Sequence, residues 1–322
     1  IDDLTFKQYN TDLENNKNVT LLNPRNVEDG YFIESGFVTS DKNIEIPNSD
    51  SIWSIIGNNM LTNQSPIKIS WSNNQGITFE KEISLDDKYL FSIKQSVINS
   101  TNNKYDFYSY GQIIRNSIPE ISNFYILHEG LIATLDDELI EEDYDDIQEK
   151  KFSRTSQKGW LGIGDKYWIT SLIPPRNKEF KTTFDYKKKF RANFIATEPL
   201  ELEGNSKVEE ELQIIVAAKR VDIIDGYAQT LDIDKFDLVI DWGFLYFITK
   251  PLFFGIDYFF KLLGNYGLAI IAITICIRLV FFPLANFSFR SMAKMKALQP
   301  EMVRLKELHK NDKMKLQQEM MA

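Results

Sequence analysis

The sequence predicts a multi-domain protein: an all-β domain, then an α-helical membrane segment and the start of a helical hairpin. Three observations predict it. Short runs of alternating apolar and polar residues extend to about residue 225, an almost wholly apolar run covers residues 268–284, and a basic tail follows that run. A chain of 322 residues is also too long for one ordinary compact core, so two or more structural units are expected.

Residues 1–225 have the pattern of β-strands. Residues 67–72, IKISWS, alternate apolar and polar side chains, which is typical of a strand with one buried face. The turn cluster NNQG at 73–76 follows, and then the apolar run ITF, which together predict a β-hairpin. Similar short runs recur around residues 32–38, 105–114, 167–172, 180–186 and 212–217. Many short strands without intervening helices favour a large antiparallel β-sandwich.

The β region offers few groups for catalysis or metal binding. His128 is its only histidine, so it holds neither a histidine pair for acid–base catalysis nor a histidine-rich metal site. The acidic run at 136–146 lacks the central glycine and the spacing of a twelve-residue calcium loop, which favours a solvated acidic loop. The glycines of 159–164, GWLGIG, favour a connection between strands over a phosphate loop, because no helix follows them. We therefore predict no catalytic residue, no metal site and no cofactor.

The apolar run at 268–284 contains one charged residue, Arg278. Its eleven Leu, Ile, Val and Phe residues favour insertion into a bilayer by roughly 3–7 kcal/mol. An arginine at the bilayer centre costs about 2.5–3.5 kcal/mol on the same scale. Six residues, about 9 Å of helix, separate Arg278 from Leu284, so the side chain can reach the near headgroups or a water-filled cavity. A transmembrane helix over 264–284 is favoured over a buried soluble helix, because the run contains no carboxylate partner for the arginine.

Residues 243–263 predict an amphipathic helix that lies in the membrane interface. Lys250, Asp257 and Lys261 are spaced at i, i+7 and i+11, which places them on one narrow stripe of a helix. Pro251 favours a helix start at that position, and the thirteen residues to Leu263 would span about 20 Å, too short to cross a bilayer. An interfacial helix with its aromatic residues toward the lipid fits this pattern.

Charge on either side of the apolar run predicts its orientation. Residues 285–322 hold eight Lys or Arg and four Asp or Glu, a net charge of +4, whereas the whole chain carries −9. The acidic connector at 226–242 precedes the run on its other side. Because cytoplasmic flanks are enriched in Lys and Arg, residues 1–242 are predicted to be periplasmic and residues 285–322 cytoplasmic. The single cysteine, Cys276, excludes an intrachain disulfide.

The basic tail predicts a helical hairpin that this chain contains only in part. Apolar residues recur at three- and four-residue steps through the first helix, Asn311 and Asp312 interrupt the pattern, and a second helix begins after them. Six of the seven methionines lie in this tail: Met292, Met295, Met302, Met314, Met320 and Met321. Methionine surfaces adapt to varied apolar partners, so these residues are candidates for contact with nascent chains. Packing between the two helices of the hairpin explains them equally well.

The stretch IRLVFFPLANFSFRSMAKMKALQPEM, with DKMKLQQEMMA after it, resembles the bacterial membrane protein insertases of the Oxa-type superfamily. Other parts of the chain, such as GYFIESGFV, FYILHEG, GWLGIGDKYW and FDLVIDWGFLYFITKP, resemble the periplasmic domain of these proteins and its exit. The resemblance implies a β-supersandwich for residues 1–225, similar in shape to sugar mutarotases. It also implies that an N-terminal span and four later spans lie outside this sequence.

The resemblance implies a function as well. Arg278 matches the basic residue of a hydrophilic groove through which nascent membrane proteins enter the inner membrane. The implied partners are those nascent chains, components of the Sec translocon, the lipid bilayer and, as a further candidate, the ribosome. No bond is made or broken, so no enzyme activity is expected, and no direct recognition of nucleic acid. The alternative is a periplasmic carbohydrate-binding or translocon-docking β-domain on a membrane tether.

Overall fold

The computed structural model describes residues 1–11, 17–119 and 128–308. It divides into two compact units, Ile1–Asp241 and Trp242–Ala322. The described strands are β1 (Leu4–Asn10), β2 (Asn18–Leu22), β3 (Tyr31–Val38), β4 (Ser54–Ile56), β5 (Ile67–Ser72), β6 (Ile77–Leu85), β7 (Leu90–Asn99), β8 (Tyr105–Arg115), β9 (Gly130–Leu135), β10 (Glu138–Asp143), β11 (Phe152–Ser156), β12 (Gly159–Gly164), β13 (Trp168–Ile173), β14 (Phe180–Tyr186), β15 (Phe190–Ala196), β16 (Leu200–Leu202) and β17 (Lys207–Ala218). The helices are α1 (Tyr144–Glu149), α2 (Val221–Thr230), α3 (Tyr246–Leu263) and α4 (Tyr266–Leu308), and a 3₁₀ turn spans Phe236–Val239.

The strands of the first unit form two large antiparallel sheets and one small one. The described part of the larger sheet has nine strands in the order β10-β9-β12-β13-β17-β7-β6-β5-β4. The other large sheet has the order β11-β14-β15-β8-β16, with β3 also paired to β8, and β1 pairs only with β2 among the described strands. Apolar side chains of the two large sheets share one core cluster, with Leu161 and Ile214 from the first and Phe184 and Phe194 from the second. The predicted large antiparallel β-sandwich is confirmed.

The hairpin predicted at residues 73–76 joins β5 to β6. Ser72 pairs with Thr78 across the turn, and Gly76 has a φ of +79°, which favours glycine. The side-chain oxygen of Asn73 accepts hydrogen bonds of 2.9 Å from the backbone N–H groups of Gln75 and Ile77. This Asx-type bonding closes the turn locally, which is why the sequence signal was sufficient.

Two loop predictions in this unit are wrong. The acidic run at 136–146 is not a loop, because most of it belongs to β10 and α1, with Ile140 and Tyr144 buried. The glycine-rich run at 159–164 is itself a strand, β12, rather than a connection between strands. A Cβ atom at Gly162 would lie 2.3 Å from the carbonyl oxygen of Thr170 on β13. Glycine here therefore permits close approach of neighbouring strands.

The first unit continues past the β-strands to Asp241. β17 ends in the run IIVAA, whose side chains are buried on both faces of the sheet. Helix α2 and the 3₁₀ turn cover the outer face, with Ile224, Tyr227 and Phe236 in one cluster with Trp160 of β12. Residue 225, the predicted end of the β-domain, lies inside α2.

The second unit begins at Trp242, and its first helix, α3, starts at Tyr246 and not at Pro251 as predicted. Pro251 is the sixth residue of the helix, where it removes one backbone hydrogen bond, so the preceding turn still forms. The helix has 18 residues, about 27 Å, compared with the predicted 20 Å. Gly264, with a φ of +67°, ends α3 and donates its N–H to the carbonyl of Phe260 at 2.8 Å.

Helix α4 is continuous over 43 residues and includes Pro283 and Pro300. Among the described residues, its part Tyr266–Pro300 is the one helical segment that is long and apolar enough to cross a membrane. The first helix of the predicted tail hairpin is therefore a continuation of the apolar helix, up to Leu308. The second helix of that hairpin lies outside the described residues.

Candidate membrane site

Arg278 lies in the apolar part of α4. It is twelve residues from Tyr266 and twelve from Arg290, about 18 Å of helix in each direction. The helix does not end at Leu284, and the next large apolar residues, Phe287 and Phe289, are exposed. Among the residues that the structure describes, Arg278 has no ion-pair partner. The arginine is thus further from the end of the apolar helix than the 9 Å inferred from Leu284.

Small residues bring α3 and α4 close together near their connecting turn. Ala269 of α4 is fully buried, and a Cβ atom at Gly255 of α3 would lie 2.8 Å from Cδ1 of Ile273. The rings of Phe260 and Tyr266 stack at 3.9 Å beside the turn. Close approach at small residues is typical of helix pairs in membranes. Gly255, Ala269 and Ile273 therefore define the seam between these two helices.

Arg278 points away from this seam. It follows Ala269 by nine residues and Ile273 by five, and each residue turns the helix by about 100°. Arg278 is therefore about 180° and 140° around α4 from these two seam residues. Its side chain is exposed in the structure. Among the described residues, α3 does not cover this face of α4.

The three charged residues of α3 form a stripe on the opposite side from the seam. Asp257 and Lys261 make an i,i+4 ion pair of 2.7 Å, with side-chain exposures of 29% and 74%. Lys250 lies 5.8 Å from the ring centre of Trp242, in the range of a cation–π contact. Lys250 precedes Asp257 by seven residues, about two turns of helix, so the two side chains lie on the same stripe. The structure therefore pairs two of these residues but does not bring any of them to Arg278.

The methionine candidates are only partly described. Met292 and Met295 are on α4 with half or more of their surface exposed. Met302 also belongs to α4, whereas Met314, Met320 and Met321 lie outside the described residues. Contact of these side chains with nascent chains stays a prediction.

One charged residue of the β-sandwich, Lys81, was not predicted from the sequence and is half-buried. Lys81 on β6 donates hydrogen bonds to the backbone carbonyl and the hydroxyl of Ser35. Burial lowers the pKa of Lys81 to about 8, and the nearby Glu34 carboxylate opposes part of that effect. The alternating pattern of β6 indicates that Lys81 points inward, because Lys81 occupies the same face of the strand as Ile77 and Phe79. That pattern places a half-buried lysine on the inward face of β6.

A large antiparallel β-sandwich followed by a long apolar helix with a basic end defines a membrane-anchored protein with an extramembrane domain. Residues 1–254 match the family model of the YidC periplasmic domain. Residues 258–322 match the model named 60Kd inner membrane protein. The chain therefore belongs to the YidC family, as an inner membrane protein with a periplasmic domain and a membrane-spanning helix.

Curated relatives cover the whole of this chain. The membrane protein insertase YidC of Pelagibacter ubique is 70% identical over 322 residues, and this chain spans 58% of its length. The YidC of Mesorhizobium japonicum is 38% identical, with 54% of its length spanned, and that of Rickettsia prowazekii is 40% identical, with 58% spanned. The chain thus spans somewhat more than half the length of these relatives.

Solved structures give weaker similarities. A galactose mutarotase-like protein from Lactobacillus casei is 9% identical, with a TM-score of 0.39, and the match covers 51% of this chain and 72% of that one. A putative aldose 1-epimerase from Escherichia coli K12 is also 9% identical, with a TM-score of 0.35 and coverage of 52% and 68%.

Proposed function

We propose that the full-length protein inserts nascent membrane proteins into the inner membrane, alone or together with the Sec translocon. The observation that carries this proposal is Arg278, a cation in the apolar part of α4 without an ion-pair partner among the described residues. A charged residue in a membrane helix usually faces a water-filled cavity or the interior of a helix bundle. The names of the curated relatives, all membrane protein insertases, support the same function.

Arg278 supplies a positive charge in a hydrophilic groove that α4 forms with spans outside this chain. The charge attracts acidic residues in the substrate segment that must reach the periplasm. Polar groups of that segment then move through water part of the way, so they avoid the full cost of desolvation in lipid. No covalent bond changes in this process, and it needs no cofactor.

The parts of the chain have separate roles in this proposal. Residues 1–225 are the periplasmic domain, 226–242 the acidic connector, and 243–263 an amphipathic helix in the membrane interface. Residues 264–284 cross the bilayer, and the cytoplasmic hairpin at 285–322 makes the first contact with nascent apolar segments through its methionines. Sec components bind beside the protein, and the ribosome is a further partner on the cytoplasmic side.

The test compares Arg278 variants of the full-length protein on matched substrates with acidic or neutralised periplasmic tails. Arg278→Ala is expected to slow insertion of the acidic-tailed substrate more than that of the neutral one. An ion pair across a wet cavity contributes on the order of 1–4 kcal/mol. Arg278→Lys should retain most activity, since the groove needs a positive charge and not a bidentate fork, and Arg278→Glu should be the most defective. Insertion is measured in cells depleted of the native insertase.

Arg290→Ala is the matched control, because Arg290 lies on the same helix but beyond the apolar run. The Arg290→Ala variant should insert the acidic-tailed and the neutral-tailed substrates equally well. Equal losses on both substrates with Arg278→Ala would contradict the proposal and assign Arg278 to packing of the helix bundle.

A further inference from the structure

Lys81 lines a cavity of about 550 Å³ in the β-sandwich. Ile83 and Ile93 border this cavity from the nine-stranded sheet, and Phe32 and Tyr110 border it from the other large sheet. The volume is within the range of pockets that bind small molecules. Because Lys81 is only half-buried, a small molecule in the cavity can reach its side chain.

The immediate neighbours of Lys81 in this cavity are apolar or aromatic. Ile69 of β5 is directly opposite Lys81, and Ile83 is two residues further along the same face of β6. Both isoleucines also line the cavity. The Nζ atom lies 5.4 Å from the ring centre of Trp53. An aromatic or aliphatic group that enters the cavity therefore finds apolar surface beside the amine.

The charge of Lys81 is only partly compensated. Its hydrogen-bond acceptors are the backbone carbonyl and the hydroxyl of Ser35, and both are uncharged. The carboxylate of Glu34 is held by other residues, because Oε1 binds Arg25 and Oε2 accepts a hydrogen bond of 2.6 Å from Gln112. Burial therefore outweighs the attraction of Glu34, and the pKa of Lys81 falls to about 8. A substantial share of this amine is neutral near pH 7.5.

A neutral lysine amine in a cavity can form an imine with an aldehyde. The lone pair of Nζ attacks the carbonyl carbon, and the carbonyl oxygen takes up a proton to give a carbinolamine. Loss of one water then leaves a C=N bond, and the reaction needs no oxidant or reductant. Tyr110 borders the same cavity, and burial raises the pKa of its hydroxyl. That hydroxyl therefore stays protonated and supplies an O–H donor for the aldehyde oxygen.

We propose that Lys81 forms an imine with small aromatic aldehydes that bind in this cavity. The aromatic ring of the aldehyde packs against Trp53 and Ile83, and the carbonyl carbon lies at Nζ of Lys81. This site is in the β-sandwich and does not depend on the proposed insertase function. Lys81 is the one lysine among the described residues that line the cavity, and the other ionisable side chains there are those of Asp2, Arg25, Glu34 and Tyr110.

Benzaldehyde with sodium cyanoborohydride is the probe, because the reductant converts the imine into a stable amine. The full-length protein is used, since Ile1 and Asp2 also border the cavity. Peptide mass spectrometry gives the labelling rate of each lysine, and Lys88, exposed in the turn between β6 and β7, is the internal comparison. At pH 7.5 Lys81 should be labelled about tenfold faster than Lys88 or more, because more of its amine is neutral. The rate at Lys81 should level off above pH 8, whereas the rate at Lys88 should continue to rise.

The dependence on benzaldehyde concentration tests whether the cavity takes part. Labelling of Lys81 should saturate, because the aldehyde binds before it reacts, and labelling of Lys88 should stay proportional to concentration. Trp53→Ala removes one wall of the cavity and should raise the concentration needed for half-saturation. Lys88→Arg is the matched control and should leave labelling of Lys81 unchanged.

Three results would overturn the proposal. The first is equal labelling of Lys81 and Lys88 at pH 7.5, and the second is a rate at Lys81 that does not saturate. The third is unchanged half-saturation in Trp53→Ala. The first two measurements need no variant, so they decide the question even if Trp53→Ala does not fold.

Discussion

Lys81 and Arg278 are cations in two different surroundings in this chain. Lys81 lies within the β-sandwich, where Ser35 accepts its hydrogen bonds and burial lowers its pKa. Arg278 lies instead in the apolar part of α4, without an ion-pair partner among the described residues. A charged residue in a membrane helix usually faces water or a counter-charge, which is the basis of the groove proposed above.

The lowered pKa of Lys81 predicts a pH dependence of stability. Between pH 8 and 10.5 the unfolded chain holds a proton on this lysine that the folded chain has largely lost. The free energy of unfolding should therefore rise with pH through this window, by on the order of 1–3 kcal/mol. Lys81→Met should flatten that rise, as measured by urea unfolding of the whole chain at several pH values.

Lys88→Met is the control for this prediction. Lys88 is exposed in the turn between β6 and β7, so its replacement should leave the pH profile of the unfolding free energy as it was. A Lys81→Met variant with an unaltered rise above pH 8 would show that another group causes the pH dependence.

At the scale of the element, helices α3 and α4 each have two distinct faces. The seam residues Gly255 and Ala269 allow close contact between the helices, while the charged stripe of α3 and Arg278 of α4 lie on the outer sides. Both features follow from the 3.6-residue period, which fixes the angular position of every side chain on a helix. The face of α3 on which a residue lies therefore predicts whether its side chain is accessible to water.

Thiol labelling of α3 tests its proposed interfacial position. In the full-length protein with Cys276→Ser, Asp257→Cys and Lys261→Cys should react with a membrane-impermeant maleimide added from the periplasm. Phe259→Cys, on the seam side of the helix, should react much more slowly and is the internal control. Protection of both stripe positions would instead indicate a helix buried in protein or lipid.

At the scale of the whole molecule, the charge asymmetry predicts how the protein is oriented. Acidic residues precede the apolar helix and basic residues follow it. The positive-inside rule places the basic side of a membrane helix in the cytoplasm. The family match of residues 1–254 to a periplasmic domain agrees with that orientation. Residues 285–322 should therefore face the cytoplasm in the full-length protein.

Limited proteolysis of spheroplasts checks this topology. Protease added outside should digest the β-sandwich, whereas an epitope in the segment 285–322 should survive until the membrane is permeabilised with detergent. Digestion of the tail epitope in intact spheroplasts, with survival of the β-sandwich, would reverse the orientation. A cytoplasmic marker protein serves as the control for intact membranes.

Features that depend on neighbours along the chain could be predicted from the amino-acid sequence. Alternation in residues 67–72 and the turn at Asn73 and Gly76 sufficed to predict the β5–β6 hairpin, and the run at 268–284 sufficed for the apolar helix. These signals are local, because backbone geometry sets the period of two in strands and of 3.6 in helices. Helix α3 starts at Tyr246 rather than at Pro251, because Pro251 removes only one backbone hydrogen bond and the preceding turn still forms.

Contacts between residues that are distant in the sequence could not be predicted and are seen in the three-dimensional fold. Gln95 and Glu210 are 115 residues apart, and no local pattern indicates that β7 pairs with β17 in the register that places them opposite each other. The same holds for Lys81 and Ser35, on strands of different sheets, and for Gly255 and Ile273 at the helix seam. Strand order and helix packing follow from how the whole core excludes water, a cooperative property that a period along one segment cannot specify.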